Sequence, residues 1–556
     1  MYFIFFSYVF LMKGFLLLLL IYLTFMEEKL FILEWSLVSF NFFFEMKFYF
    51  YFDFISNFFM LIVSLISSVV FYFSWGYMSS DKTKNKFLFL TVLFVFSMYL
   101  VILSLNMPII MIGWDGLGIV SYFLVIYYNS DYSNYSGIVT VMTNRLGDIG
   151  MMFSFFLLLN MNCFDMNLLN QLKGLDWFFF FFLILGCFTK SAQFPFSAWL
   201  PLAMAAPTPI SSLVHSSTLV TAGVYLFIRF SFLFKNDSVL VFNLLLLSGL
   251  TMLVSALSAS VEYDIKKIIA YSTLSQLGLM MMVLMAGDEI LAFYHILTHA
   301  LFKALMFLCS GVFIHSCLDN QDIRKYSDSL NINFFAINVF FISSLSLMGF
   351  PFLSGFYSKD LILEFIYSLN FSGYYMSFLM ILTSMTTFYS LRLVYLSFVA
   401  SKNFSKMLYS DKVSLMNMFF FLFLGVVFLG GSLNWLIMEK FELGFFSVSV
   451  KLINVNLMVL GFMIFYIFLK LKKINFLMVN YMLNMFFLMK FQGLIFNFLI
   501  KNSMYFYYHS EYFLENFSVN SFKFYLGKMN FFISLIKLLS VYISVLILIF
   551  IVVILF

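Results

Sequence analysis

Charge is what this sequence has least of. Lys, Arg, Asp and Glu make up 10% of its 556 residues, where a water-soluble domain carries roughly 25%. So few charges cannot clothe a soluble surface, and several water-soluble domains in a row are excluded. Cysteine is scarce too. Cys163, Cys187, Cys309 and Cys317 show no CxxC or CxxxxC spacing, so neither a disulfide framework nor an iron–sulfur site is expected, and we read them as buried thiols. Arginine is limited to Arg145, Arg229, Arg324 and Arg392. There is no GxGxxG after a strand, no phosphate-binding P-loop and no nucleophile triad, so redox chemistry or ATP hydrolysis is not expected within this chain. The net charge of +5 is scattered and leaves no footprint for nucleic acid.

What fills the chain instead is apolar. Hydrophobic residues reach 63%, with 84 Phe and 37 Met, and the mean hydropathy is +1.01. The excess of Phe, Tyr, Met, Ile, Leu and Asn over Arg points to an AT-rich, organellar coding genome. Sixteen apolar stretches, from 3–25 through 530–556, reach or approach the ~20 residues that a helix needs to cross a bilayer. They are continuous, as in Phe87–Leu105, rather than alternating, which favours helices over a β-barrel. The expected fold is all-α: a polytopic membrane protein of about 15–16 transmembrane helices. Residues 3–25 lack a cleavage motif or an Arg-rich amphipathic presequence and read as a retained first span. Residues 476–529 are too polar to cross lipid and read as an amphipathic helix along a surface. A last anchor follows over 530–556.

All six prolines lie between Pro108 and Pro351. Proline removes a backbone donor, and broken backbone at membrane depth is tolerated only where protein or a cavity surrounds it. Phe194–Ser216 and Gly349–Asp360 meet that description. Lys190 stands before the first and Lys359 near the end of the second. An ionisable helix followed by an interrupted one thus occurs twice, as in transporters built from inverted repeats. This divides the chain into N-terminal helices (1–105), a core of two repeats (106–400, about 106–260 and 261–400), further helices (401–475), the lateral helix (476–529) and the anchor (530–556).

An ionisable side chain in mid-membrane costs about 2.5 kcal/mol or more and is a functional candidate by default. Asp115 sits in Gly113-Trp-Asp-Gly-Leu-Gly118; the alternative is a helix-end carboxylate beside a glycine turn. Arg145 and Asp148 are three apart and share a helix face, as a static pair or as part of a proton path. Lys190 ends a very apolar run, and buried lysines exchange their proton more readily than solvated ones. His215 lies among hydroxyls. His295, His299 and Lys303 recur every four residues and line one stripe roughly 12 Å long. A His-x-x-x-His metal site is the competitor there, but Ile, Leu and Thr intervene and the HExxH glutamate is missing. Lys359 and Asp360 are adjacent, so they face different partners. Asp264, Lys266 and Lys267 open a span and read as interface anchors.

In order along the chain stand Gly113-Trp-Asp-Gly-Leu-Gly118, Asn144-Arg-Leu-Gly-Asp-Ile-Gly150, Lys190-Ser-Ala-Gln193, Ala206-Pro-Thr-Pro-Ile-Ser-Ser-Leu-Val-His-Ser-Ser-Thr218, Asp264-Ile-Lys-Lys-Ile-Ile-Ala-Tyr-Ser-Thr-Leu-Ser-Gln276, His295-x-x-x-His-Ala-x-Phe-Lys-Ala304 and Gly355-Phe-Tyr-Ser-Lys-Asp360. Together, from about residue 50 to 400, they closely resemble the chain 5 family of mitochondrial NADH:ubiquinone oxidoreductase, respiratory complex I. The resemblance implies an antiporter-like fold with two discontinuous helices in inverted repeats. It implies a proton-translocating membrane-arm subunit of the mitochondrial inner membrane, with NADH, FMN, iron–sulfur clusters and ubiquinone used elsewhere in the complex and no cofactor or metal held by this chain. The implied partners are other membrane-arm subunits, neighbouring antiporter-like chains through the lateral helix, and bilayer lipid, cardiolipin included. In the family a Glu usually stands at the position of Asp115 and pairs with the lysine matching Lys190. His215, His295, His299 and Lys303 match its central relay and Lys359 its exit lysine. Asp115 is one methylene shorter than that Glu. Rival readings are a Mrp-type cation/proton antiporter subunit, a scaffold whose buried ions only fix packing, and a quinone-reducing enzyme in its own right.

Overall fold

The structure is a computed structural model. It describes residues 2–26, 31–40, 44–104, 106–160, 177–231, 238–326, 334–369, 373–399, 419–438, 448–470, 482–483, 485–486, 488 and 501–505. The chain forms two compact units, Met1–Met489 and Lys490–Phe556. The second contributes only 501–505, a helical turn, to the described residues. The lateral helix expected over 476–529 otherwise lies outside the described residues, apart from 482–483, 485–486 and 488, and so do the anchor over 530–556 and Cys163.

In the first unit the helices are α1 (Tyr2–Met26), α2 (Phe54–Tyr77), α3 (Lys84–Leu103), α4 (Met107–Val125), α5 (Asp131–Asn160), α6 (Trp177–Lys190), α7 (Trp199–Ala203), α8 (Thr208–Arg229), α9 (Ser238–Ala259), α10 (Ile265–Ala286), α11 (Glu289–Ser316), α12 (Phe334–Met348), α13 (Ser354–Ser368), α14 (Gly373–Val394), α15 (Phe419–Leu424), α16 (Gly430–Met438) and α17 (Val448–Lys470). Each of the first fifteen expected spans coincides with helix over most of its length. Eleven helices among the described residues are long and apolar enough to cross a membrane. Their end residues follow local chemistry. Asp53 caps α2 in a reciprocal box with Ser56, so α2 begins six residues after the expected 48. Gly287, with φ +105°, closes α10, as glycine does where a left-handed residue ends a helix.

One element adds to the helical plan. β1 (Phe31–Phe40) and β2 (Phe44–Phe52) pair antiparallel, from Phe31 with Phe52 to Phe40 with Phe44. The start of the expected span at 48–75 is strand. Aromatic residues suit a half-buried strand as well as a lipid-facing helix, and length alone does not separate the two.

α10 and α11 form the centre. The apolar stretch of each is wholly buried, whereas that of α1 is 28% buried and that of α17 is 17%. The outer helices present apolar side chains to their surroundings, as a bilayer requires, while the inner pair carries the polar residues. Cys187, Cys309 and Cys317 are buried. Among the described residues no cluster of three or more His, Cys, Asp or Glu is placed to hold a metal ion.

Candidate functional site

Both proline-containing stretches break the backbone, and they break it the same way. After Lys190, Ala192 adopts φ +52°; its N–H bonds the Thr189 carbonyl at 3.3 Å, and the Gln193 N–H reaches the Phe188 carbonyl at 3.0 Å. After α12, Gly349 adopts φ +89°; its N–H bonds Ser346 at 3.1 Å, and the Phe350 N–H bonds Leu345 at 3.1 Å. Each is a Schellman closure, which satisfies carbonyls that a simple stop would orphan. The chain then restarts as α7 and α13. Gly355 lets α13 lie directly on the end of α12, because a Cβ there would collide with the Ser346 carbonyl.

Lys190 is fully buried. Its ammonium donates to the Trp114 carbonyl and lies 3.9 Å from the centroid of the Trp114 ring. No ion pair forms between Lys190 and Asp115. The shorter acid leaves the ammonium on the preceding residue's carbonyl, and the buried Asp115 Oδ1 has no hydrogen-bond partner among the described residues. Both Asp148 and Asp115 still act on the Lys190 charge through space. Arg145 pairs with Asp148 at 3.3 Å; the arginine is half-exposed and the carboxylate buried.

His215 lies in the first part of α8, where Ser211–Thr218 is wound as a π-helix, a form that is frequent at functional sites. The ring packs edge-on to Trp199 with centroids 6.4 Å apart. Neither ring nitrogen has a partner among the described residues.

The second group is wired differently. His295, His299 and Lys303 are all buried on α11. His295 Nδ1 is 2.9 Å from Ser358 Oγ, and Nε2 is 3.1 Å from Gln276 Oε1. Ser358 in turn lies 3.1 Å from Thr298 Oγ1. The His299 ring lies tilted at 47° to that of His295 with centroids 6.2 Å apart, and both its nitrogens are unpartnered among the described residues. Lys303 donates to Ser272 Oγ on α10 at 2.5 Å. Lys359 donates to Thr386 Oγ1 on α14 at 2.8 Å and to the Met348 carbonyl, at the end of α12, at 3.3 Å. The backbone carbonyl of Asp360 accepts from the Asn454 amide on α17 at 3.5 Å.

Three contributors escaped the sequence reading. The bridging hydroxyls of Ser272, Ser358 and Thr386 are too common a residue type to single out. Gln276, an amide in the middle of an apolar span, was the visible signal. Lys266 corrects the reading of it as an interface anchor: it is 5% exposed and donates to the Ala206 carbonyl at 3.1 Å, because the unsatisfied backbone before Pro207 lies within its reach. Lys267 pairs with Asp264 at 2.8 Å at a partly exposed position.

Comparison with known proteins bears on the whole assembly of residues. Residues 104–390 match the family model described as NADH:quinone oxidoreductase/Mrp antiporter, TM. Residues 39–88 match NADH-Ubiquinone oxidoreductase (complex I), chain 5 N-terminus. NADH-ubiquinone oxidoreductase chain 5 of Aedes aegypti is 44% identical over 450 residues, 78% of this chain and 75% of the relative. That of Lumbricus terrestris is 40% identical over 416 residues, 73% and 71%. Among solved structures, an archaeal membrane-bound sulfane sulfur reductase, a respiratory membrane complex, has a chain with TM-score 0.68 at 18% identity, covering 82% of this chain and 93% of that one. A chain of the Mrp complex from Dietzia sp. DQ12-45-1b gives TM-score 0.66 at 22% identity; 79% of this chain is covered, but only 50% of that one. These structures share the fold, which is that of an antiporter-like, multi-pass membrane protein. With more than half its length matched by the antiporter-like family model and relatives 40% and 44% identical over most of it, the chain belongs to the NADH-ubiquinone oxidoreductase chain 5 family of complex I.

Proposed function

We propose that this subunit translocates protons across the mitochondrial inner membrane while NADH is oxidised and ubiquinone reduced elsewhere in the complex. FMN, the iron–sulfur clusters and the nicotinamide and quinone sites belong to its partner subunits on this reading. Its own part is a file of buried groups that pass a proton and return to their starting state. The observation that carries the proposal is a row of buried polar clusters around α11. Lys303 bonds Ser272, His295 bonds Gln276 and Ser358, which also meets Thr298, and Lys359 bonds Thr386, so three titratable side chains each meet a hydroxyl or amide from a neighbouring helix. Hydroxyls both donate and accept, so they hand a proton on without holding charge. Asp115, Arg145, Asp148, Lys190 and His215 form the other part of the file, and Asp360 stands beside its Lys359 end.

The energetic scale is suitable. Moving one charge across the membrane works against about 2.3 kcal/mol per 100 mV. Charge–charge interactions in a poorly solvated interior reach about 4 kcal/mol at close range, so a change in how closely Asp148 and Asp115 act on the Lys190 ammonium is large enough to drive such a step. The lateral helix expected over 476–529 would hold the neighbouring antiporter-like subunits in register.

The test is the proton-to-electron ratio of assembled complex in sealed vesicles. Lys359→Met should remove or sharply lower proton uptake while electron transfer to an artificial acceptor continues. Unchanged proton flux would refute the proposal. A Mrp-type cation exchange remains the second reading because of the shared fold; a sodium gradient driving proton movement without NADH would favour it.

A further inference from the structure

Lys266 belongs to no part of the file described above, yet it is a buried lysine at the first proline break. Its ammonium sits 3.1 Å from the Ala206 carbonyl. The reason that carbonyl needs a donor lies in the sequence Ala206-Pro-Thr-Pro-Ile210. In a continuous helix it would accept from residue 210, but the Ile210 N–H bonds Pro207 at 3.0 Å. A tighter turn would use residue 209, which is proline and has no N–H. A buried carbonyl left without a donor is destabilising, and Lys266, itself buried, supplies the missing donor from α10.

What the bond holds is informative. α8 starts at Thr208, two residues beyond Ala206, and winds as a π-helix from Ser211 to Thr218 around His215. The other side of that start rests on α11. A Cβ at Gly311 would fall 2.8 Å from Thr208 Oγ1, so α8 and α11 touch at this point with no room between them. Lys266 therefore ties the residue just before α8 to α10, and Gly311 sets the start of α8 against the helix that carries His295, His299 and Lys303. His215 has no bond of its own to fix it, since both ring nitrogens lack partners among the described residues.

We propose that Lys266 is a positioning residue of the proton path: its ammonium pins the Ala206 carbonyl and so fixes where the π-wound segment places His215 relative to α11. The proposal rests on the translocation reading above. The second break needs no separate pin, because Lys359 itself bonds the Met348 carbonyl at 3.3 Å.

The experiment compares assembled complex carrying Lys266→Met, Lys266→Arg and Lys359→Met, reading abundance, electron-transfer rate and protons moved per NADH. Lys266→Met should assemble and keep its electron transfer to an artificial acceptor while its proton ratio falls by half or more, since small misplacements of transfer groups are costly. Lys266→Arg, which keeps a long cationic donor, should restore the ratio. If the Met variant does not assemble, Lys266→Ala, which likewise has no side-chain donor, replaces it with the same expectation. A normal ratio in the neutral variant beside a lost ratio in Lys359→Met would overturn the positioning role and spare the translocation reading. A normal ratio in Lys359→Met would overturn the reading on which it rests. Failure of both neutral variants to assemble would also overturn it, marking Lys266 as purely structural.

Discussion

The two interrupted segments close with the same backbone motif but hold their chemistry in opposite ways. At the first, the left-handed residue is Ala192, Lys190 precedes the break, and Lys266 satisfies the orphan carbonyl. At the second, the left-handed residue is Gly349, and Lys359 does both jobs. Around the first, Asp115 Oδ1 and both nitrogens of His215 lack partners among the described residues. Around the second, Ser358 bonds His295 and Thr386 bonds Lys359, and His299 is the group without a partner among the described residues. The contrast teaches that one fold can carry a half with few side-chain bonds to its titratable groups and a half in which most of them meet a hydroxyl.

Several substitutions would break or sharpen this contrast. The largest effect is expected at Gly355. Gly355→Val drives side-chain atoms into the Ser346 carbonyl, and because backbone cannot yield as a side chain does, the cost should exceed about 3 kcal/mol. Native gels should show little assembled complex; normal abundance would mean that the two halves of the second break do not meet so closely.

Next comes the hydroxyl wiring. Ser358→Ala removes the partner of His295 and of Thr298, and should cost about 1–3 kcal/mol in unsatisfied buried groups and slow proton-coupled turnover. Ser212→Ala removes a hydroxyl that only bonds the Pro209 carbonyl at 2.8 Å, and should leave turnover near normal. Equal sensitivity of the two sites would erase the distinction between the halves.

A third probe lies at the end of the first segment. Arg229, the last residue of α8, grips Asp53 with bonds of 2.5 and 2.9 Å. Burial alone would raise the Asp53 carboxyl, but the Arg229 hydrogen bonds outweigh it and hold the group below the usual carboxylate range. A depressed folded-state value means the stabilisation is complete above the unfolded value and is lost as pH falls through the folded one. Asp53→Asn should therefore lower the melting temperature at neutral pH, with a loss of about 1–3 kcal/mol. The gap between variant and wild type should shrink only below the usual carboxylate range. A gap that widened on acidification would contradict the assigned sign.

The smallest effect is expected from Ala192→Gly. The left-handed backbone strains alanine by about 1 kcal/mol, but glycine pays a comparable entropy. The melting temperature should shift only slightly, and a large loss would mean that the methyl group packs in a way the closure motif does not require.

Much of this was legible in the residues. Continuous apolar runs told of helices, clustered prolines told of the two breaks, and the i, i+4, i+8 spacing placed His295, His299 and Lys303 on one buried stripe. The rest depended on contacts between distant segments. Lys266 looked like an anchor because it neighbours Lys267 and Asp264, and only the fold brings Ala206 to it. Ser358 and Thr386 are ordinary hydroxyls until α13 and α14 pack beside α11 and the break. The hairpin over 31–52 was hidden because its aromatic residues suit strand and membrane helix alike. The expected Asp115–Lys190 pair depended on a side-chain reach that the shorter acid does not have.

The account rests most heavily on a joined proton path through the interior. A density map of the assembled complex fine enough to show ordered water tests it most directly. The account predicts water molecules bridging the ring nitrogens of His215 and His299 to their neighbours between Lys190 and Lys303. Dry apolar packing around both rings, with no water in reach of either, would contradict it.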